Sequence, residues 1–438
     1  MKRVVLGVVF GLLAATATSG QWLETTIYLP DSINQCTRPE FLLHNPATNV
    51  VYVTGNGYHI IGIDEETNQK MAWVEIRSAP RQMCFNSTNN KVYCIYYNRD
   101  SVAVVDAATN TLSAVVAVGD QPQALCYNSW RNKVYCANYG DSTVSVIDGR
   151  TDRVIATILV GDSPRGLGYN WGTNKVYCAN KWSHGISVID GGGDTVIATL
   201  PTGYQPGVFC YNPTNFKMYC TTEGGGNVTV IDGIGDSVLA EVLCGAKPWD
   251  LCYNSVNNKV YCASIRGGYV SVIDGSNDSL IGLVHVGSGP RALSYNPINN
   301  KVYCGNGLDD NVSVIDGESN QVILDIDVGG EPMDLAWSPV QNRTYVAVKQ
   351  ASSVAVLRDQ IGIEEPHVVA VPARGCGATM IRGVLPLRSD RPAALLDITG
   401  RKVGDLKPGT NDVRFLAPGV YFLRRENAGT TSKVIVCR

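Results

Sequence analysis

Histidine, aspartate and cysteine are the residues of this chain that could bind a metal or act in catalysis. The five histidines are His44, His59, His184, His285 and His367. Metal-dependent oxidases and lyases need several such ligands converging on one point, but these histidines fall at different strand positions in different sequence repeats, and no three of them share a register that faces a central channel. The GxSxG, HExxH, P-loop and Cys-x-x-Cys motifs are also missing. We therefore predict no catalytic residues and no cofactor, with calcium left open.

A second group of residues interrupts the otherwise regular repeats. Such exceptional side chains are candidates for binding a ligand. These residues stand in stretches that vary between repeats, and they combine aromatic rings with Arg and Lys. Aromatic and Arg side chains contribute much of the binding energy at interfaces. They are Tyr97, Arg99, Lys181, Trp182, His184, Lys247, Trp249, Arg266 and Tyr269, with Asp309 and Asp310 in a further loop. The pattern predicts a candidate ligand-binding face, and ordinary solvated loops are the alternative.

The fourteen cysteines form a third group. Eight of them make pairs ten residues apart that flank a predicted turn, where an antiparallel hairpin would bring the two residues within bridging distance. The pairs are Cys84 with Cys94, Cys126 with Cys136, Cys210 with Cys220, and Cys252 with Cys262, and Cys376 with Cys437 is a further candidate pair near the C-terminus. The alternative is that cysteine serves as a small buried apolar residue. Cys178 and Cys304 favour that alternative because they have no cysteine partner.

A tyrosine that recurs every 42 residues indicates which elements carry these groups. It stands at Tyr93, Tyr135, Tyr177, Tyr219, Tyr261, Tyr303 and Tyr345, with one 41-residue step back to Tyr52. Around it each repeat has four short β-branched runs bounded by turn residues, most clearly in residues 125–160. A period near 42 with four strands per repeat predicts an all-β fold, an eight-bladed β-propeller.

The order of the strands predicts how the ring closes. The eighth repeat ends with its third strand at residues 354–357, and residues 23–31 (LETTIYLPD) align without gaps on the fourth strand of another repeat, VIATILVGD at 154–162. An N-terminal strand can therefore complete the eighth blade and remove an open sheet edge. Seven blades are the alternative, with the divergent first repeat outside the ring.

An aspartate also recurs in nearly every repeat. Asp148, Asp190, Asp232, Asp274 and Asp316 each precede a glycine. We predict hairpin turns in which the carboxylate accepts backbone N–H groups and the glycine adopts a positive φ. Because these carboxylates are distributed around the ring, they do not predict a site.

Both ends of the chain differ from the repeats. Residues 1–20 combine Lys2 and Arg3 with an apolar run and small residues, which predicts a secretory signal peptide and a mature chain without a transmembrane segment. Residues 359–366 are polar and predict a linker. Short strand-like runs in 367–438 predict a small antiparallel β-sandwich. The formal net charge of -3, without any basic stretch, predicts no nucleic-acid partner.

The motifs VYCAN, VSVIDG and VIATI resemble those of the YVTN-repeat β-propellers over residues 22–358, although six repeats read YC in place of YV. This resemblance implies a rigid extracellular disc used for binding or display. Residues 396–403 (LDITGRKV), 416–424 (LAPGVYFLR) and 433–438 resemble the C-terminal sorting domain of type IX secretion. That resemblance implies contact with the secretion machinery of a bacterial outer membrane. The usual Pro-Asn-Pro near the start of the domain is absent, and residues 371–374 read VPAR instead.

The sequence therefore predicts an exported propeller, residues 21–358, at the cell surface or outside the cell. We expect it to bind a protein or a glycan through its variable loops without acting as an enzyme. Two alternatives remain. One is a propeller enzyme of the lactonase or lyase type that acts at the mouth of the channel. The other is a structural surface-layer protein that self-associates through its rim.

Overall fold

The computed structural model describes residues 20–30, 36–96, 98–359 and seven short segments between residues 379 and 436. The predicted signal peptide, apart from Gly20, lies outside the described residues, as do Tyr97, His367, Cys376 and Cys437. The linker likewise lies outside them, apart from Asp359. The chain divides into two compact units, with the boundary between residues 364 and 365. In the described ranges no helix is long and apolar enough to cross a membrane.

Eight four-stranded antiparallel sheets make up the first unit. The first strand of each sheet contacts the first strand of the next, and the eighth contacts the first, so the sheets form a closed ring. We number these blades 1 to 8 and their strands from inner to outer. The predicted eight-bladed propeller is confirmed, and the seven-bladed alternative is wrong.

The inner strands are Thr37–Asn45, Pro80–Asn86, Pro122–Asn128, Pro164–Asn170, Pro206–Asn212, Pro248–Asn254, Pro290–Asn296 and Pro332–Ser338. The second strands are Val50–Asn56, Lys91–Tyr96, Lys133–Asn138, Lys175–Asn180, Lys217–Thr222, Lys259–Ser264, Lys301–Asn306 and Arg343–Val348. The third strands are His59–Asp64, Ser101–Asp106, Thr143–Asp148, Gly185–Asp190, Asn227–Asp232, Tyr269–Asp274, Asn311–Asp316 and Ser353–Asp359. The outer strands are Lys70–Glu75, Thr111–Ala117, Arg153–Leu159, Thr195–Pro201, Ser237–Leu243, Leu280–His285, Gln321–Asp327 and, in blade 8, Gln21–Tyr28.

Burial decreases from the second and third strands toward the rim. The β-branched residues of the second and third strands pack between neighbouring blades, as Val144 and Val146 do with Val176. The outer strands bury little more than one side chain in a blade, such as Ile158, and leave residues such as Ile155 half exposed. The propeller core is therefore a ring of inter-blade clusters, because each sheet offers both faces to its neighbours.

The N-terminal strand closes the ring, as the sequence predicts. Gln21–Tyr28 pairs antiparallel with Ser353–Asp359 of blade 8. Arg343 of the second strand fixes it further, because its Nε and Nη2 donate to the two carboxylate oxygens of Glu24 at 2.6 and 2.5 Å. The Nη1 of Arg343 donates to the carbonyl oxygen of Glu65 in blade 1. One buried guanidinium thus joins the N-terminal strand and blade 8 to blade 1.

The recurring tyrosine joins each blade to the next. Tyr135 is fully buried, and its hydroxyl donates to Asp194 Oδ1 at 2.6 Å in the following blade. The ammonium of Lys133, two residues earlier, binds the other oxygen of the same carboxylate at 2.7 Å. Equivalent bonds start from Tyr93, Tyr177 and Tyr219. We call the side of the ring that carries these bonds the turn face, since it holds the turns between first and second and between third and fourth strands.

Asparagines complete the turn face. Asn128 Nδ2 donates to Asn174 Oδ1 of the next blade at 2.9 Å, and Asn86 makes the same bond to Asn132 at 2.8 Å. The recurring aspartates are turn residues, as predicted: Asp148 Oδ1 accepts two backbone N–H groups at 2.9 and 3.0 Å. The glycine after it does not adopt a positive φ. It is needed for space, because a Cβ on Gly149 would collide with the paired asparagine side chains.

The hairpin disulfides that the sequence left open are wrong for the described cysteines, all of which are free. The physical reason is a shift of one residue in register. Cys126 lies opposite Tyr135, and Cys136 lies opposite Leu125, so the two thiols point to opposite faces of the sheet. Each packs against a different neighbouring blade. The same offset separates the other three pairs: Cys84 with Cys94, Cys210 with Cys220, and Cys252 with Cys262.

The second unit is described only in its strands. Five of them form one sheet in the order Thr379–Ile381, Thr431–Val436, Gly419–Arg425, Ala393–Leu396, Lys402–Leu406, and Val384–Leu387 pairs with Gly409–Asp412 in a small second sheet. The sequence predicts an antiparallel arrangement. In this sheet, however, Thr379–Ile381 runs parallel to Thr431–Val436.

Candidate ligand-binding cleft on the loop face

The opposite side of the ring, which we call the loop face, holds the loops between second and third strands and the loops between blades. A cleft of about 670 Å³ opens there over blades 4 to 6. Its volume falls within the range of small-molecule sites. It is lined by Lys181, Gln205, Glu223, Gly224, Gly225, Gly226, Leu243, Gly245, Ala246, Lys247 and Arg266.

Glycines of blade 5 create this space. The loop between its second and third strands contains three glycines at 224–226, where blade 4 has Trp182, Ser183 and His184. The inner strand of blade 5 has Gly207 at the position that holds Arg165 in blade 4 and Trp249 in blade 6. Because blade 5 lacks these side chains, the loops of blades 4 and 6 flank a gap.

Two tyrosines pack against these glycines. The ring of Tyr204 lies against Gly224 so closely that a Cβ there would overlap it, and the ring of Tyr269 lies in the same way against Gly245. Tyr204 is 50% exposed and also packs on His184, with ring centroids 4.2 Å apart. Glycine at these two positions therefore allows each aromatic ring to pack directly against the backbone that lines the cleft.

Two of the three basic side chains of the cleft, Lys181 and Lys247, are held on tryptophans. Lys181 Nζ lies 4.9 Å from the ring centre of Trp182. Lys247 Nζ lies 4.8 Å from the ring centre of Trp249, and the guanidinium of Arg165 lies 5.3 Å from the same ring. Such cation–π contacts restrict the position of the cation without neutralising its charge.

Glu223 is the acidic residue of the lining, and its charge is balanced. Its Oε1 accepts from Nη1 of Arg165, which reaches it from blade 4. Both side chains are largely buried. The remaining charged groups of the lining are therefore the cations of Lys181, Lys247 and Arg266.

The structure brings together most of the residues that the sequence singled out. Lys181, Lys247 and Arg266 line the cleft, and Trp182, His184, Trp249 and Tyr269 contact its lining residues or lie beside them. Three of the residues lie outside the cleft. Arg99 is in the loop of blade 2, and Asp309 and Asp310 are in the loop of blade 7. Sequence reasoning missed Tyr204 and the glycine loop. The signal was present as three consecutive glycines at a loop position where other blades carry side chains.

The histidines do not converge in the described residues. His44 Nε2 lies 3.2 Å from Glu65 Oε1 at the junction of blades 8 and 1, His184 packs on Tyr204, and His285 contacts the ring of Tyr269 edge-on. In the part of the chain that the structure describes, no group of three or more His, Cys, Asp and Glu residues is arranged to hold a metal ion.

Two aspartates on inner strands also escaped sequence reasoning. Burial raises the pKa of Asp250 to about 6 and that of Asp334 to about 7, although part of each side chain remains accessible. Each carboxylate accepts a backbone N–H of the next inner strand at 2.8 Å, from Leu293 and Leu42 respectively. The neutral amide of Gln82 makes the same link from blade 2 at 2.9 Å. Because the uncharged side chain of Gln82 makes the same link, the two carboxylates serve to join neighbouring inner strands, and this role does not need their charge.

Fold and sequence define the class of the protein as an eight-bladed β-propeller. Residues 75–358 match the YNCE-like beta-propeller family. The chain belongs to that family. No curated protein matches it.

Solved structures resemble the chain at low sequence identity. The Kuenenia stuttgartiensis hydrazine synthase matches with a TM-score of 0.52 and 20% identity over 64% of this chain and 96% of that one. The computationally designed Ika8 protein matches with a TM-score of 0.63 and 18% identity over 76% and 99%. The dihydro-heme d1 dehydrogenase NirN in complex with DHE matches with a TM-score of 0.61 and 15% identity over 77% and 79%. At these identities the similarity concerns the fold alone.

Proposed function

We propose that this protein is an exported, non-enzymatic propeller that binds a glycan at the cell surface through the cleft over blades 4 to 6. The observation that carries the proposal is the cleft itself, which lies where the loops depart from the repeat. A concave site of this volume suits an oligosaccharide, which can enter it, better than the broad surface of a protein partner. Tyr204 and Tyr269, which pack against glycines of its lining, are the aromatic rings that we propose contact the sugar.

Export is part of the proposal. It rests on the basic and apolar N-terminal residues and on the resemblance of residues 396–438 to a sorting domain. In cells of the source organism, protease added from outside should digest the protein while the cells stay intact. Protection of the protein until the cells are lysed would contradict surface exposure.

A glycan array probed with the purified protein tests binding, followed by calorimetric titration of the best ligand. Arg266→Ala should weaken binding at least tenfold, because Arg266 lines the cleft. Arg99→Ala is the matched control, since Arg99 is an exposed arginine of the corresponding loop in blade 2 and lies outside the cleft. Equal loss in both variants, or no glycan ligand at all, would reject the proposal.

A further inference from the structure

The three cations that line the cleft differ in their partners from three other cations of the loop face. Arg165 pairs with Glu223, Arg291 with Glu331 at 2.5 Å and Lys349 with Glu40 at 2.7 Å. Lys181, Lys247 and Arg266 have no carboxylate partner among the described residues. Lys181 and Lys349 make the contrast clearest, because each is the first residue after the second strand of its blade.

These unpaired cations lie in a concave site. Lys181 comes from blade 4, whereas Lys247 and Arg266 come from the two loops beside the inner and second strands of blade 6. A concave site with charges of one sign concentrates its electrostatic potential, because the low-dielectric walls keep field lines inside. The one acidic group of the lining is neutralised by Arg165, so the potential of the cleft is positive.

We infer that the ligand is an acidic oligosaccharide, one that carries carboxylate or sulfate groups. The inference rests on the proposed function and names the chemistry of its ligand. Lysine and arginine bind such oxyanions through charge-assisted hydrogen bonds. Tyr204 and Tyr269 pack against Gly224 and Gly245 of the lining, so aromatic rings adjoin the charged groups and are available to contact a bound sugar.

The experiment compares ligands that differ only in charge. Trigalacturonate is titrated against its fully methyl-esterified form, which keeps the sugar skeleton and removes the charges. A sulfated neocarratetraose is titrated against its desulfated counterpart, so the two pairs distinguish carboxylate from sulfate. We expect the acidic member of at least one pair to bind at least tenfold more tightly, with an affinity that falls as NaCl concentration rises.

Variants connect this preference to the three cations. Lys181→Met, Lys247→Met and Arg266→Met should each weaken binding of the acidic probe about tenfold, as expected for loss of a charge-assisted contact, and Lys181→Arg should retain most of it. Lys349→Met is the matched control and should leave the affinity unchanged, because Lys349 lies in blade 8 beside Glu40. Circular dichroism and thermal unfolding establish that each variant is folded.

The outcomes separate the inference from the proposed function. Equal affinity for acidic and neutral members, or an array on which only neutral glycans bind, overturns the acidic ligand and leaves a glycan-binding protein. A loss in Lys349→Met as large as that in Lys181→Met also overturns it. The absence of any glycan ligand rejects the proposed function itself.

Discussion

The turn face and the loop face of this propeller are built from the same repeats but in opposite ways. On the turn face every recurring tyrosine donates to an aspartate or asparagine of the next blade. Most blades add a bond between two asparagines. On the loop face the blades differ from one another, and over blades 4 to 6 glycines replace side chains and leave a cleft. Regularity on one face thus supplies rigidity, and its interruption on the other supplies the cleft for which we propose a ligand.

The largest effect on stability is expected where the turn face joins the N-terminal strand to blades 8 and 1. Arg343→Met removes the bonds to Glu24 and Glu65 and leaves the largely buried Glu24 carboxylate only Arg358, 3.6 Å away, as a cationic neighbour. The free energy of unfolding should therefore fall by about 3 kcal/mol. Denaturant unfolding measures it. The control is Arg77→Met, since that arginine is 79% exposed beside Glu75 and its loss should cost less than about 0.5 kcal/mol. Similar costs for both variants would show that Arg343 does not hold the closure.

A smaller effect is expected within a regular blade. Tyr135→Phe removes the hydroxyl that donates to Asp194 and keeps the ring, so unfolding should become about 2 kcal/mol easier, as for a hydrogen bond to a charged group. Affinity for the ligand of the cleft should not change. A large loss of affinity in this variant would break the division of roles between the two faces.

The inner strands give a pH-dependent test. Burial raises the pKa of Asp334 to about 7 from its ordinary value of 3.8, so the stability that this group contributes is complete below pH 4 and is lost as the pH rises through 7. Asp334→Asn can still accept the N–H of Leu42, as Gln82 does in its own blade. The variant should therefore gain thermal stability relative to the native protein at pH 8 and lose that advantage at pH 4.

Glu66→Gln serves as the control for this comparison, because Glu66 is exposed. Its melting temperature should follow that of the native protein at both pH values. A difference between Asp334→Asn and the native protein that does not depend on pH would reject the raised pKa.

The smallest expected effect concerns one irregularity of the turn face itself. Phe216 has a φ of 60° and stands where other blades have Asn132, Asn174 and Asn258. Phe216→Asn should stabilise the protein by up to about 1 kcal/mol, because asparagine tolerates the left-handed region and can accept from Asn170. The corresponding change at an already regular position, Asn174→Phe, should destabilise it. Thermal unfolding of both variants tests this prediction. A change in melting temperature of the same sign in both variants would contradict it.

Much of this structure could be predicted from sequence, for a physical reason. The repeat fixes strand number and the identity of the closing strand, because each blade must present the same faces to two neighbours. The register of Cys126 and Cys136 was harder to predict, since a shift of one residue reverses the face on which a side chain lies. The role of Gly149 was likewise hidden, because the asparagines that need its space belong to two different blades.

The candidate site was predicted in part. Lys181, Lys247 and Arg266 stood out because side chains that break a repeat are visible in the sequence. The cleft between them was not predicted, because a cavity arises from missing side chains. The carboxylates of Asp250 and Asp334 escaped because their partners are backbone N–H groups, which every residue except proline offers.

The pairing of Gln21–Tyr28 with Ser353–Asp359 also has a cost in conformational entropy, because it brings together two distant segments of the chain. Gln21 and Asp359 are 338 positions apart, and closing a chain segment of that length costs about 5 kcal/mol beyond a constant. That cost grows only with the logarithm of the number of residues, so a ninth blade would add almost nothing to it. The size of the ring is therefore set by the angle at which neighbouring blades pack, and one eight-residue strand holds it closed.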